Sequence, residues 1–299
     1  MKSAVALCGV ELKNPFMTAS GTFGFGREYN KLYPVSMLGA VCTKGLTLLP
    51  REGNPTPRIA ETPSGILNSV GLQNPGVERF IDEDLSWLKK QTVVVANIAG
   101  NTTDEYCRMA KKLDGKVDFI ELNISCPNVK EGGVAFGIYP ESIENITKAV
   151  KKYCNNTPLM VKLSPNTASI KENAKAAQRG GADCISLINT VTGMAIDLKT
   201  KRPILANITG GLSGPAVKPI ALRMVYEAFS AVSIPVIGIG GIMDNTDAAE
   251  FMLAGATAVQ VGSANIFNPS CMPKIIENFN NYLENEQITA KDLIGGLIV

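Results

Sequence analysis

A strand-like apolar run, Asp118 to Leu122, ends in Asn123, Ile124, Ser125, Cys126, Pro127 and Asn128. Proline bars regular pairing beyond the run, so the last strand residues and the turn that follows stand at a sheet end, open to a ligand. The chain has no histidine. The side chain that most often moves protons near neutral pH is therefore missing, and a thiolate is the best remaining acceptor. Cys126 is the candidate catalytic base. A plainer reading makes it one of seven cysteines, most of them small apolar fillers of a core. Position alone does not choose between the two.

Placing such a turn requires a scaffold, and the apolar periodicity supplies one. Short β-branched runs recur at Phe16 to Thr18, Ala40 to Thr43, Val93 to Ile98, Phe119 to Leu122, Leu159 to Leu163, Cys184 to Ile188, Val236 to Ile239 and Ala258 to Val261. Between them lie stretches with apolar residues at three-to-four spacing: Val77 to Lys90, Thr103 to Leu113, Pro140 to Lys152, Ser169 to Arg179, Val217 to Ala231 and Asp244 to Leu253. Strand and helix alternating in this way predict an α/β fold, a parallel (β/α)8 TIM barrel rather than an open sheet. Gly45 to Thr92 and Thr190 to Pro215 are too long and too rich in Gly, Pro, Asn and Thr for plain barrel loops. They are expected to form excursions over the carboxyl-end face, where active sites of this architecture lie.

The strand ends carry polar groups where a packed barrel favours branched apolar ones: Ser20 and Gly21, Lys44, Asn97, Asn123, Lys162, Asn189 with Thr190, Gly240 with Gly241, and Gly262 with Ser263. A single Asn is a common strand terminator; several Asn and Lys at successive ends point to a binding site. Gly238, Gly240 and Gly241 after the seventh strand, with Gly262 and Ser263 after the eighth, expose backbone amides where such barrels hold phosphate. A phosphate at one side and a reactive ring over the centre suggest FMN. Lys44 and Lys162 at one mouth would repel unless anions neutralise them. One lysine would stabilise a reduced, anionic flavin, the other a carboxylated substrate. A Schiff-base role for Lys162, as in lyase barrels, remains the rival.

Length and composition agree with one unit over residues 1–299, since no low-complexity linker divides the chain. A net charge of +2 gives no basic excess for nucleic acid. An odd number of scattered cysteines, none spaced C-x-x-C, fits a reducing cytoplasm and argues against a cluster or structural zinc held by this chain alone, so no metal is expected. The apolar start is interrupted at Glu11 and Lys13 and reads as the first arm of a hairpin rather than a signal peptide. Leu293 to Val299 is too short to span a bilayer, so no membrane partner is expected.

Four stretches carry a family resemblance: 123–137 (NISCPNVKEGGVAFG), 66–76 (ILNSVGLQNPG), 187–190 (LINT) and 210–223 (GGLSGPAVKPIALR). The chain resembles, across essentially its whole length, dihydroorotate dehydrogenases of the family 1B type. The resemblance implies an FMN-bearing barrel, one FMN per chain, that oxidises (S)-dihydroorotate to orotate in pyrimidine biosynthesis. It makes Cys126 the base and matches the substrate positions to Lys44, Asn68, Ser69, Val70, Gly71, Leu72, Asn123, Asn189 and Thr190. It matches the FMN positions to Ser20, Lys44, Gly45, Asn97, Asn123, Lys162, Ile188, Gly214, Gly240, Gly241, Gly262 and Ser263. The loop Pro127 to Tyr139 is expected to act as a lid. The resemblance also implies a homodimer joined by a separate subunit, carrying FAD and a [2Fe-2S] cluster, in a heterotetramer that passes electrons to NAD+. A fumarate-using 1A enzyme, a flavoprotein similar to part of dihydropyrimidine dehydrogenase, a Lys162 lyase and a non-catalytic scaffold stay open as alternatives.

Overall fold

The computed structural model describes residues 2–124 and 137–299. Strands β1 (Val5–Leu7) and β2 (Val10–Leu12) pair antiparallel as the expected hairpin. In chain order there follow β3 (Phe16–Thr18), β4 (Ala40–Cys42), β5 (Ile59–Thr62), β6 (Gly65–Asn68), β7 (Val93–Ile98) and β8 (Phe119–Asn123). The remainder are β9 (Leu159–Lys162), β10 (Cys184–Leu187), β11 (Val191–Met194), β12 (Ile196–Asp197), β13 (Arg202–Pro203), β14 (Thr209–Ser213), β15 (Val236–Ile239) and β16 (Ala256–Val261). Strands β3, β4, β7, β8, β9, β10, β15 and β16 close in that order into a barrel. Every pairing around it is parallel. All eight apolar runs read from the sequence are these strands, three of them residue for residue and the others with one end moved by one or two residues.

Helices between the strands start where side chains satisfy their first amides. The Thr102 hydroxyl accepts from the Glu105 N–H ahead of Thr103–Leu113, and Ser169 does the same for Glu172 ahead of Ile170–Arg179. Asp244 and Asp247 cap each other's backbone at Asn245–Leu253. Proline opens Pro140–Lys151, where its missing N–H costs nothing. The stretch read as one helix from Val77 is helical through Lys89 but passes through a π-helical turn at Phe80–Leu85. No helix among the described residues is long and apolar enough to cross a membrane.

The longest helix escaped the sequence reading. Helix Cys271–Asn285 follows β16 and buries Cys271, Met272, Ile275, Ile276, Phe279 and Leu283 against the barrel. Its Phe279 ring meets Phe16 of β3 edge-on, 5.1 Å between centroids at 87°. This contact ties the last helix to the first barrel strand.

The two long connections meet, which the sequence did not announce. Strands β5 and β6 from the first, and β11 and β14 from the second, form one antiparallel sheet in the order β11-β14-β6-β5. Barrel register fixes what faces inward, because side chains on paired parallel strands point to the same face and alternate along each strand. Asn97 pairs with Glu121, Asn123 with Lys162, and Lys162 with Ser186. One inward layer is therefore polar on four neighbouring strands.

Phe279→Ala should destabilise the protein by about 3–5 kcal/mol, the usual cost of emptying a buried aromatic site. Urea unfolding followed by circular dichroism measures it; a loss below about 1 kcal/mol would mean that the helix after β16 does not hold the barrel shut.

Candidate active site

At the centre of that layer the Glu121 carboxylate is fully buried. Its Oε1 accepts from Ser186 Oγ at 2.7 Å and from Gln260 Nε2 at 2.8 Å. Its Oε2 accepts from Asn97 Nδ2 at 2.5 Å and from the Cys42 thiol at 3.3 Å, and the Lys162 ammonium lies 3.8 Å away. These five groups come from β4, β7, β9, β10 and β16, so most of the barrel wall contributes to one carboxylate. Burial pushes the Glu121 carboxyl up, but the Lys162 charge and the bonds from Ser186, Asn97 and Gln260 outweigh it, leaving the group below its ordinary value. Burial and the adjacent carboxylate push the Cys42 thiol well up, so it stays a donor.

From Glu121 a row of carboxamides climbs towards the mouth. Asn123 Nδ2 donates to Asn97 Oδ1 at 3.4 Å, Asn189 Nδ2 donates to Asn123 Oδ1 at 3.1 Å, and the Thr190 N–H donates to Asn189 Oδ1 at 2.8 Å. Tyr106, on helix Thr103–Leu113, fixes the strand end by donating its hydroxyl to the Asn123 carbonyl at 2.8 Å. Gly45 sits against the base of the row: a Cβ there would stand 2.9 Å from Asn97 Oδ1 and 3.1 Å from Leu72, with Ser20 Oγ at 3.8 Å. Ser20, Gly45, Leu72, Asn97 and Asn123 thus converge.

The excursion sheet brings in a second wall. Asn68 Nδ2 donates to the Gly211 carbonyl at 3.4 Å, and a Cβ on Gly211 would stand 2.0 Å from Thr190 Oγ1, so Asn68 and Thr190 flank the same glycine. Asn54 anchors the turn between them, its backbone N–H donating to the Val70 carbonyl at 3.0 Å and its side chain to the Ser69 carbonyl at 2.9 Å. Gly71 and Leu72 follow in the left-handed region. The Ser69 hydroxyl is buried without a hydrogen-bond partner among the described residues.

At the other side, Gly240 and Gly241 have φ of +130° and +75°. A Cβ on Gly241 would stand 2.9 Å from the Gly214 carbonyl, which places those two expected residues side by side. Ile188 is buried beside them, donating its N–H to the Ile239 carbonyl at 2.9 Å. The amides of Gly240, Gly241, Gly262 and Ser263 donate to no acceptor among the described residues. Four bare N–H groups at neighbouring strand ends are a cradle for an anion.

The two lysines differ. Lys162 is buried and has its countercharge in Glu121. This corrects the expectation that both ammonium groups need an external anion, because the carboxylate lies one layer below the strand ends on which that expectation was based. Lys44 is half-buried with no carboxylate at ion-pair distance among the described residues. Burial, and then the Arg58 charge, lower its pKa. Cys126 and nearly all of the expected lid, 127–136, lie outside the described residues.

Sequence reasoning missed Glu121, Ser186, Gln260 and Cys42. The signal for Glu121 was present: one acidic residue inside an otherwise apolar strand, two positions before Asn123 and so on the same face.

The chain matches the family model described as dihydroorotate dehydrogenase over residues 2–283. It is 56% identical over 302 residues to dihydroorotate dehydrogenase B (NAD(+)), catalytic subunit, of Thermoanaerobacter pseudethanolicus, covering 100% of both chains. The proteins of the same name from Caldicellulosiruptor saccharolyticus and Alkaliphilus metalliredigens are similar at 54% over 299 residues and 57% over 291 residues. These alignments cover 99% of both chains in the first case, and 97% of this chain and 95% of the relative in the second.

Gly45→Ala should cost about 1–3 kcal/mol by pressing a methyl group on the Asn97 carboxamide. In an Asn97→Ala background most of that cost should disappear, since neighbours that share a clash are not additive. A double-mutant cycle on unfolding midpoints decides it; simple additivity would show that Gly45 does not press on Asn97.

Proposed function

The chain belongs to the dihydroorotate dehydrogenase family, and on that premise we propose that it is the flavin-bearing catalytic subunit that oxidises (S)-dihydroorotate to orotate in pyrimidine biosynthesis. The observation that carries the reading is the layout of the barrel mouth among the described residues: a cradle of amides without acceptors at one side, a row of carboxamides over a buried lysine at the centre, and a half-buried lysine with no carboxylate partner. A phosphate-bearing flavin, FMN, and a carboxylated cyclic imide together match those three parts. The donor set fits the cofactor. The amides of Gly240, Gly241, Gly262 and Ser263 would hold its phosphate, with Ile188 and Gly214 beside them, while Ser20, Gly45, Asn97, Asn123 and Lys162 would hold its ring system.

A flavin bound here supplies the acceptor for a hydride. The chain's residues supply the rest. Cys126, as thiolate, takes the proton from the carbon beside the ring carbonyl of dihydroorotate; the hydride leaves the neighbouring carbon, and the ring double bond forms between them. The substrate carboxylate provides the countercharge that Lys44 lacks among the described residues. Asn68, Asn123 and Asn189, each with a donor and an acceptor on one carboxamide, pair with the N–H and C=O edges of the imide. Ser69 offers its partnerless hydroxyl, and Val70, Gly71, Leu72 and Thr190 complete the wall. Lys162, already ion-paired, acts as a fixed charge that stabilises negative charge on the reduced ring system, which favours this role over a Schiff base.

The relatives are named as NAD(+)-linked catalytic subunits. In keeping with that name, this chain works with a partner subunit carrying FAD and a [2Fe-2S] cluster, two copies of each forming a cytoplasmic heterotetramer.

The decisive experiment is an anaerobic titration of the purified chain. It should be yellow, lose its flavin absorption on adding dihydroorotate, pass electrons to an artificial dye, and reduce NAD+ only when the FAD and iron–sulfur subunit is added. Unassisted NAD+ reduction would overturn the division between subunits, and a colourless, unreactive protein would overturn the enzyme itself. Cys126→Ala should keep its flavin yet slow reduction by about 10²–10⁴, the usual worth of a positioned base. Stopped-flow absorption measures this, and reduction at the wild-type rate would remove Cys126 from the role.

A further inference from the structure

Glu121 touches neither of the ligands assigned above, yet the carboxamides that do are chained to it. A carboxylate accepts hydrogen bonds and donates none. Asn97 must therefore turn its NH₂ towards Glu121 Oε2, 2.5 Å away, and its carbonyl upward. That carbonyl accepts from Asn123 Nδ2, which leaves Asn123 Oδ1 to accept from Asn189 Nδ2, and Asn189 Oδ1 to accept from the Thr190 N–H. Each carboxamide has its orientation set by the one below it. The row ends at a backbone N–H, which cannot reverse. We propose that Glu121 is a positioning residue that fixes the donor and acceptor order of Asn97, Asn123 and Asn189, and thereby the hydrogen-bonding pattern that the site offers to the imide edges of dihydroorotate and orotate.

The inference rests on the function proposed above for what it says about the ligand, but its geometry belongs to the chain alone. The carboxylate has four hydrogen-bond donors around it besides Lys162, and those from Ser186 and Gln260 hold Oε1 so that Oε2 faces Asn97. Its depressed pKa keeps it an acceptor throughout the neutral range. A neutral amide at position 121 would reverse the logic. With its oxygen kept by Ser186 and Gln260, its NH₂ would face Asn97, and Asn97, Asn123 and Asn189 would each have to turn over. The reversed row would end with the Asn189 NH₂ against the Thr190 N–H, donor against donor. Either that clash or one within the row must remain, and a buried unpaired polar group is expensive.

The same logic supplies the test. Moving the carboxylate one step up, in the double variant Glu121→Gln with Asn97→Asp, lets position 97 accept from both neighbours. The order at Asn123 and Asn189 is then preserved, and the total charge is unchanged. Orotate binding to the flavin-loaded protein is measured by calorimetry, alongside the unfolding midpoint of each variant. Glu121→Gln should weaken orotate binding about 10- to 100-fold, the range expected for one unsatisfied buried group. The double variant, although it alters a residue assigned to the flavin, should recover most of the orotate affinity that Glu121→Gln loses, even where its unfolding midpoint stays low. Wild-type affinity in Glu121→Gln, or a double variant no better than the single one, would overturn the inference and assign Glu121 to stability alone. Should Glu121→Gln not fold, the double variant is compared with Asn97→Asp alone, in which two carboxylates face each other and the same flavin contact is altered: tighter orotate binding in the double variant supports the inference, and equal binding sinks it. Failure of the function reading looks different, because the wild-type protein itself would then bind no orotate.

Discussion

The charge that Glu121 carries inside the barrel constrains more of this molecule than any other single group. Burying a lone carboxylate costs several kcal/mol after relaxation, and the cost is offset only when charge and hydrogen bonds close around it. Here they come from five barrel strands at once: Cys42, Asn97, Lys162, Ser186 and Gln260. A strand slipped by one residue would turn its contributor away from the centre and leave the charge short of a partner. A layer of branched apolar side chains would fill the same space at comparable stability. The polar layer is therefore explained by what it presents above itself, a fixed lysine and an ordered row of carboxamides.

Above that layer the site is assembled from parts distant in sequence. Two excursions, widely separated along the chain, share one antiparallel sheet, and this sheet sets Asn68 and Thr190 on either side of Gly211. The barrel provides the floor and the excursion sheet a wall. Gly45 lets the two approach, since any side chain there would collide with both Asn97 and Leu72. Rigid elements thus carry nearly all the groups assigned to ligand contact, as a site that must hold a ring in one orientation requires.

Much of this was legible in the chain. Eight apolar runs became eight barrel strands because buried parallel strands read as near-continuous apolar segments, and the Gly- and Asn-rich excursions were visible by their length alone. Lys44, Asn97, Asn123, Lys162, Asn189 and Thr190 were found by looking at strand ends. The same habit hid Glu121, Ser186 and Gln260, which lie inside strands, where side-chain parity rather than position reveals them. Helix Cys271–Asn285 was missed although its apolar spacing is regular, because the reading stopped once the eighth strand was placed. The π-helical turn at Phe80–Leu85 leaves no mark in composition. Cys126, the residue from which the reading began, is supported by chemistry and resemblance, since its placement is not described.

Lys44 gives the molecule an economy of supply as well as of charge. Among the described residues its half-buried ammonium has no carboxylate partner and the four amides no acceptor, and bound anions would supply both. Such a ligand binds the native chain and not the unfolded one, so at a concentration a thousand times its dissociation constant it adds about 4 kcal/mol to stability. For a chain of ordinary marginal stability that increment is comparable to a sizeable share of the whole. Cofactor abundance would then govern how many copies escape proteolysis, coupling the amount of this enzyme in a cell to the flavin the cell can spare.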